Sequence, residues 1–151
     1  MKPNFELSRT QRKIVGSFLE NYSLEQLNVI PTGFTNNLFW NIAHIVVTQQ
    51  LLVYKLSGLP MIVSDELVEK YKKGTSVTAP ATAEELAEVK RLLTETIAQT
   101  EKDYANGLFK NYSDYPTSTG YVITSAEDAI DFNSFHEGLH IGVMMSIRKF
   151  V

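Results

Sequence analysis

The sequence predicts an all-α fold, a four-helix bundle with a long crossover connection between helices two and three. Three observations predict it. Four stretches either repeat apolar residues at close to a 3.6-residue period or are apolar on nearly every side. Caps and Gly/Pro breakers separate them. Strand signal is confined to one short run, Tyr121-Val122-Ile123-Thr124. A chain of 151 residues is most simply one domain, 1–151, long enough to bury a core.

The first helix is expected over about 6–22. Leu7, Gln11, Ile14, Val15, Phe18, Leu19 and Tyr22 fall on one side, and Arg9, Arg12, Lys13 and Glu20 on the other. Gly16 in its middle costs about 1 kcal/mol against Ala and is a candidate mark of a close helix crossing. Ser23-Leu24-Glu25-Gln26 reads as a capping box opening one extra turn. Ile30-Pro31-Thr32-Gly33 then breaks the chain.

The second helix is expected from a Thr35-Asn36 cap to about residue 57, stopped by Gly58 and Pro60. It is apolar almost all round, which places it in the middle of the bundle with His44 in its buried part. Residues 58–81 form a long connection with a short helix at 64–71 and a loop at 75–80. A link of that length can cross the bundle instead of joining antiparallel neighbours.

The third helix opens on the capping box Thr82-Ala83-Glu84-Glu85, its acids facing the positive helix end. Leu86, Val89, Leu93, Ile97, Thr100 and Tyr104 mark its inner stripe, and Asn106-Gly107 ends it. Residues 108–124 follow, with Tyr112, Tyr115 and Tyr121. They read either as an aromatic cap on one end of the bundle or as a cleft wall, and the cap is the preferred reading. The fourth helix starts at Ser125 and runs to about 149, with Ala129, Phe132, His136, Leu139, His140, Val143 and Ile147 as its expected inner face.

Composition narrows the function. Lys and Arg number 14 against 17 Asp and Glu, a net charge of -3, which argues against a nucleic-acid partner. There is no cysteine, so any metal must take nitrogen or oxygen ligands. The opening Met1-Lys2-Pro3-Asn4-Phe5-Glu6 has no apolar run suited to a signal peptide. The longest apolar region, 38–56, is interrupted by Asn41, His44, Thr48, Gln49, Gln50 and Lys55, so it reads as a buried helix and not a membrane span. The expectation is a soluble, cytoplasmic protein with neither nucleic acid nor membrane as partner.

The chemistry concentrates in Phe135-His136-Glu137-Gly138-Leu139-His140-Ile141-Gly142. It holds two of the chain's three histidines, His136 and His140, four residues apart and therefore on one helical face. His44 supplies a third. A lone helical histidine is usually structural. Three imidazoles on apolar faces would each need a separate partner, whereas one divalent metal satisfies all three. Both readings stand.

His136-Glu137-Gly138-Leu139-His140 is also a literal His-Glu-x-x-His, the zinc signature of many metalloproteases. The protease reading is disfavoured, because no His, Asp or Glu follows His140 to serve as a third ligand and no substrate-binding sheet is apparent. Glu137 is a candidate general base, directed about 80° from the middle of the two-histidine face. Its alternative is a solvated or salt-bridged side chain. Asn41 and Thr48, one turn either side of His44, are candidates to orient its imidazole or touch ligand. Gly138 and Gly142 point away from the histidines, onto either a plain outer face or one that admits another helix, such as one from a second subunit.

The Trp40-Asn41-Ile42-Ala43-His44 segment, the His136-Glu137-Gly138-Leu139-His140-Ile141-Gly142 segment and the four-helix pattern together resemble the DinB/YfiT-like superfamily over essentially the whole chain. The resemblance implies an up-down-down-up four-helix bundle, often dimeric. It implies His44, His136 and His140 as ligands of a divalent metal such as zinc, nickel or iron. Some relatives look like thiol-dependent S-transferases or isomerases that activate a low-molecular-weight thiol. Three imidazoles leave a coordination position open, the pattern of catalytic zinc. The expected function is a metal-dependent S-transferase or hydrolase acting on a small-molecule substrate. The alternative is a non-catalytic metal-binding bundle acting in stress response or as an interaction module.

Overall fold

Six α-helices and one pair of two-residue strands make up the regular structure of the computed structural model, together with two single 3-10 turns; it describes residues 3–151. Met1 and Lys2, part of the N-terminal run expected to lack a leader, lie outside the described residues. The helices are α1 (Phe5–Asn21), α2 (Leu24–Asn28), α3 (Leu38–Val53), α4 (Asp65–Tyr71), α5 (Ala83–Ala105) and α6 (Ala126–Ile147). The strands, β1 (Tyr115–Pro116) and β2 (Val122–Ile123), pair antiparallel. The chain is all-α apart from this small ribbon.

Local signals set most of the boundaries. Both capping boxes form: Ser23 with Gln26 at α2, and Thr82 with Glu85 at α5. Each satisfies two backbone N–H groups that a helix start would otherwise leave unpaired. The cap of α3 is Asn37, one residue beyond the expected pair, because its side chain accepts the Trp40 N–H at 2.7 Å. Gly58 ends the segment after α3 in a left-handed conformation (φ 71°) that a side chain would strain. Ser64 caps the short helix α4.

α3 is the spine. Phe39, Ile42, Ala43, Ile45, Val46, Val47 and Val53 are all buried, and both apolar clusters of the core run through this helix. Its polar residues are used inward. Gln49 donates to Thr100 Oγ1 at 2.8 Å, and Gln50 donates to Gln49 Oε1 at 2.8 Å while accepting the Ile62 N–H at 3.0 Å. Burial of these amides is therefore compensated by hydrogen bonds. α3 packs on α4, α5 and α6, and α1 packs on α5 and α6. No helix among the described residues is long and apolar enough to cross a membrane.

Two inner faces differ from expectation. On α1 the buried stripe is Ser8, Arg12, Val15, Phe18 and Leu19, whereas Leu7 and Ile14 are exposed. On α6 it runs Ala129, Ile130, Asn133, Glu137, Ile141, Met144 and Ile147, whereas Leu139 is 53% exposed and Val143 also faces out. One pair accounts for both rotations. Arg12 is 5% exposed and Glu137 0%, and they meet between the helices. Arg12 Nε donates to Glu137 Oε1 at 2.9 Å, and Asn133 Nδ2 donates to the same oxygen at 2.7 Å. Arg12 Nη2 also lies 2.8 Å from Oε1, without hydrogen-bond alignment. Arg12 Nη1 reaches Leu93 O and Thr96 Oγ1 on α5. Val15, Phe18 and Leu19 on α1 and Ala129 and Ile147 on α6 are buried as expected, but a sequence rule that sends charged residues outward misplaces Arg12 and Glu137.

Candidate metal centre

His44 comes from the buried middle of α3, and His136 and His140 from successive turns of α6. The α3–α6 contact brings all three together. Their ring centroids lie 4.5 to 5.1 Å apart, and one nitrogen from each falls within 4.8 Å of the others. Trp40 stacks flat on His44 at 4.5 Å between centroids, with its indole N–H held by Thr75 Oγ1.

The hydrogen bonds decide which nitrogens are bare. His44 Nδ1 lies 2.6 Å from the Tyr71 carbonyl oxygen, which can only accept. The proton of a neutral His44 is therefore on Nδ1, and Nε2 carries the free lone pair. Asn41 Nδ2 donates to the Asn37 carbonyl at 2.7 Å, so Asn41 Oδ1 is the atom turned to His140 Nδ1, also at 2.7 Å. That fixes His140 in the same tautomer. His136 Nε2 stands 3.1 Å from His140 Nε2, and its buried Nδ1 has no partner among the described residues.

The electrostatics point the same way. Burial pushes His136 down to about 3, helped by the neighbouring His140 and His44 and by the Arg12 guanidinium. Burial, with His44, pushes His140 down to about 4. Burial lowers His44 too, against the opposing pull of its bond to Tyr71 O. At neutral pH the site holds three uncharged bases, the form a metal requires. Two have Nε2 unprotonated, with Thr48 Oγ1 3.3 Å from that of His44 and His136 Nε2 3.1 Å from that of His140. Nitrogens sharing one ion at about 2.1 Å sit about 3.4 Å apart in a tetrahedral arrangement, against 3.1 Å for the His136–His140 pair and no more than 4.8 Å across the group. The residues fit a divalent ion.

The cluster is not sealed. It lines a cleft of about 470 Å³ with an apolar floor of Leu51, Leu52, Leu56 and Phe132. Thr48 also lines it, its Oγ1 3.3 Å from His44 Nε2. Such a volume suits a small organic molecule. The rim brings in Lys55 and Lys73, with Tyr115, Thr117 and Ser118 from the β1–β2 ribbon. This corrects the preferred reading of residues 108–124. The ribbon folds back over α6, Tyr121 stacks on Phe132, and Tyr112 donates to the Leu52 carbonyl at 2.9 Å. It is a cleft wall as well as an aromatic cover.

The other candidates separate. Asn41 orients an imidazole, but that of His140 across the helix interface and not that of its neighbour His44. Glu137 does not line the cleft and is bound to Arg12 and Asn133. It is paired, as one alternative allowed, but it is wholly buried and not solvated. Gly138 and Gly142 are exposed, and a Cβ on either would meet nothing within 4 Å. Tyr71, Lys55 and Lys73 were not anticipated. The Tyr71 carbonyl has no side-chain signature, and the lysines carry only the ordinary sign of helix-end cations.

A search of curated proteins returns no match for this chain. The family model of the DinB superfamily matches residues 6–144, a span that contains all three histidines and every long helix but the first residue of α1 and the last turn of α6. On that match, with the three-histidine group in place at the α3–α6 contact, the chain belongs to the DinB superfamily.

Proposed function

We propose that the protein binds one divalent metal through His44, His136 and His140 and works as a metal-dependent S-transferase or hydrolase on a small molecule held in the adjoining cleft. The observation that carries this reading is the convergence of three neutral imidazoles on the wall of an open cleft. A divalent ion there supplies Lewis acidity, enough to hold a thiol as thiolate at neutral pH. The protein's own groups do the rest. Tyr71 O and Asn41 Oδ1 hold two ring protons away from the site, Trp40 fixes the plane of His44, and the apolar floor excludes water. Zinc, nickel and iron all suit such a donor set.

The fold reading that accompanies it is a bundle of α1, α3, α5 and α6 in up-down-down-up order. Contacts support it. Arg9 pairs with Glu101 and Glu20 with Lys90, so α1 and α5 run opposite ways. Gln49–Thr100 and Tyr54–Asp103 align α3 with α5, whereas Asn41–His140 and His44–His136 together oppose α3 to α6. A homodimer through the outer side of α6 belongs to the same proposal, supported by exposed Phe135, Leu139 and Val143 beside two uncovered glycines. Leu139→Glu should convert it to monomer in sedimentation; an unchanged oligomer places the interface elsewhere.

The functional test is metal analysis of protein purified without a histidine tag, followed by a panel of low-molecular-weight thiols with electrophilic acceptors. Stoichiometric metal in the wild type, lost in His44→Ala and His140→Ala, together with turnover lost in the same variants, is expected. Full occupancy without turnover would favour a non-catalytic metal-binding bundle. Equal, substoichiometric content in all three proteins would end the metal reading.

A further inference from the structure

The charge around the cleft narrows what it accepts. The side chains that line it include three histidines and two lysines but no carboxylate. Neither Lys55 nor Lys73 takes part in an ion pair among the described residues, although Lys70, Lys72 and Lys90 all do. Both are exposed at the mouth, Lys55 just after α3 and Lys73 just after α4. They lie on either side of α4 and the loop that leads to it, so the fold, and not a local run of basic sequence, gathers them at one opening. In a chain of net charge -3, this opening is a local reversal of sign.

Below the lysines the lining turns apolar, with Leu51, Leu52, Leu56 and Phe132, and the histidines lie beside it. A ligand matching all of this is charged at one end and apolar along its body. The uncompensated positive mouth selects an anion, by attraction during approach and by charge-assisted hydrogen bonds once it is seated. The apolar stretch beneath it disfavours a small, fully hydrated ion, which would leave that surface unfilled.

We propose that Lys55 and Lys73 form an anion-recognising rim, and that the cleft takes a small amphiphilic carboxylate whose apolar body lies on Leu51, Leu52, Leu56 and Phe132 while its far end reaches the histidines. This names the substrate class of the site proposed above and rests on the cleft being that site. Lys55 and Lys73 act as specificity-determining residues. They bind the end of the ligand remote from the chemistry.

The test compares 3-phenylpropionate with its neutral analogue 3-phenylpropanamide, and with inorganic phosphate, by calorimetry on the metal-loaded, untagged protein. The acid should bind about tenfold or more tighter than the amide, the scale of a charge-assisted contact. The preference should shrink with added salt and vanish in the Lys55→Met/Lys73→Met double variant, whose metal content stays at the wild-type level. Equal binding of acid and amide, or no binding of either, overturns the proposal. So does a preference that survives the double variant, and if that preference is then lost in metal-free His44→Ala, the anion sits on the metal and only the rim assignment fails. Phosphate binding as well as the aromatic acid overturns the amphiphilic assignment. Acid preference in metal-free wild type, lost in the double variant, supports the rim even should the metal reading fail.

Discussion

His136 and Glu137 are consecutive residues of α6, and they open onto two buried polar clusters of opposite character. Glu137 turns to the core, where it accepts from Arg12 and Asn133 and where Arg12 is held in turn by the Leu93 carbonyl of α5. Charge is matched by charge there, and the group does not line the cleft. His136 turns to the cleft, where it meets two more neutral bases and no counter-charge. Burial costs both clusters solvation. The first recovers much of it through opposite charge at Glu137 Oε1, although Glu137 Oε2, Arg12 Nη2 and Asn133 Oδ1 make no hydrogen bond among the described residues, and so reads as architecture. The second leaves basic nitrogens within 4.8 Å of one another beside an opening, which an added cation would satisfy. A polar group in a core is thus informative less by being buried than by whether an opposite charge already faces it.

The largest effect that would break this comparison is on stability. Arg12→Met leaves Glu137 buried with its main partner gone, and should cost about 3–5 kcal/mol. His136→Gln, in metal-free protein, should cost only about 1 kcal/mol. The double variant Arg12→Met/Glu137→Leu should regain most of the loss, since an apolar pair of similar volume removes both charges from the interior. Urea denaturation of metal-free protein measures all three. Equal losses for the two single variants would mean that the clusters do not differ as described.

Next comes the metal. Asn41→Leu removes the acceptor that turns the His140 ring and should weaken metal affinity about 10–100-fold, with smaller change in metal-free stability. Competition against a chromophoric chelator reads this directly. Unchanged affinity would show that packing alone, through Trp40 and the helix contact, orients the ring.

Acid sharpens the contrast further. His136 and His140 titrate near 3 and 4 in the folded chain but near 6.5 when unfolded. Below about pH 6.5 the unfolded chain takes up protons that the folded chain refuses, so metal-free stability should fall as pH drops from about 6.5 toward 4. Each histidine contributes a slope of up to about 1.4 kcal/mol per pH unit. Above pH 6.5 this contribution is flat. Denaturation midpoints of wild type and His136→Gln between pH 7 and 5 test the sign, and parallel curves would remove His136 from the effect.

The smallest expected effect concerns Gly16, on the other side of α1's contact with α5. A Cβ there would meet Leu93 Cδ2 at 3.5 Å, an ordinary contact, so no close crossing demands the glycine. Gly16→Ala should stabilise by up to about 1 kcal/mol through helix propensity and leave metal binding alone. A loss of stability would show that the α1–α5 spacing is tighter than it looks.

Much of the fold is legible in the sequence because its signals are local. Capping boxes at Ser23 and Thr82, the left-handed glycines at 58 and 107, and the continuous apolarity of α3 act within a few residues of chain. The histidine pair on α6 belongs here too, since i and i+4 share a face wherever the helix lies. The inner faces of α1 and α6 were legible only in part. Arg12 and Glu137 look like solvent-facing charges until each is seen as the other's partner, 125 residues away.

The sequence by itself determined the helices, their ends, the kinds of ligand on offer and the absence of cysteine ligands, all properties of residue type and short-range geometry. Only the tertiary structure decided which nitrogens are bare, because the acceptors responsible, Tyr71 O and Asn41 Oδ1, arrive from other segments. It also decided that Glu137 belongs to the core and that Lys55, Lys73 and the β1–β2 ribbon frame one opening. Pairing of charge, desolvation and enclosure depend on what lies across a helix interface. No single segment carries that information.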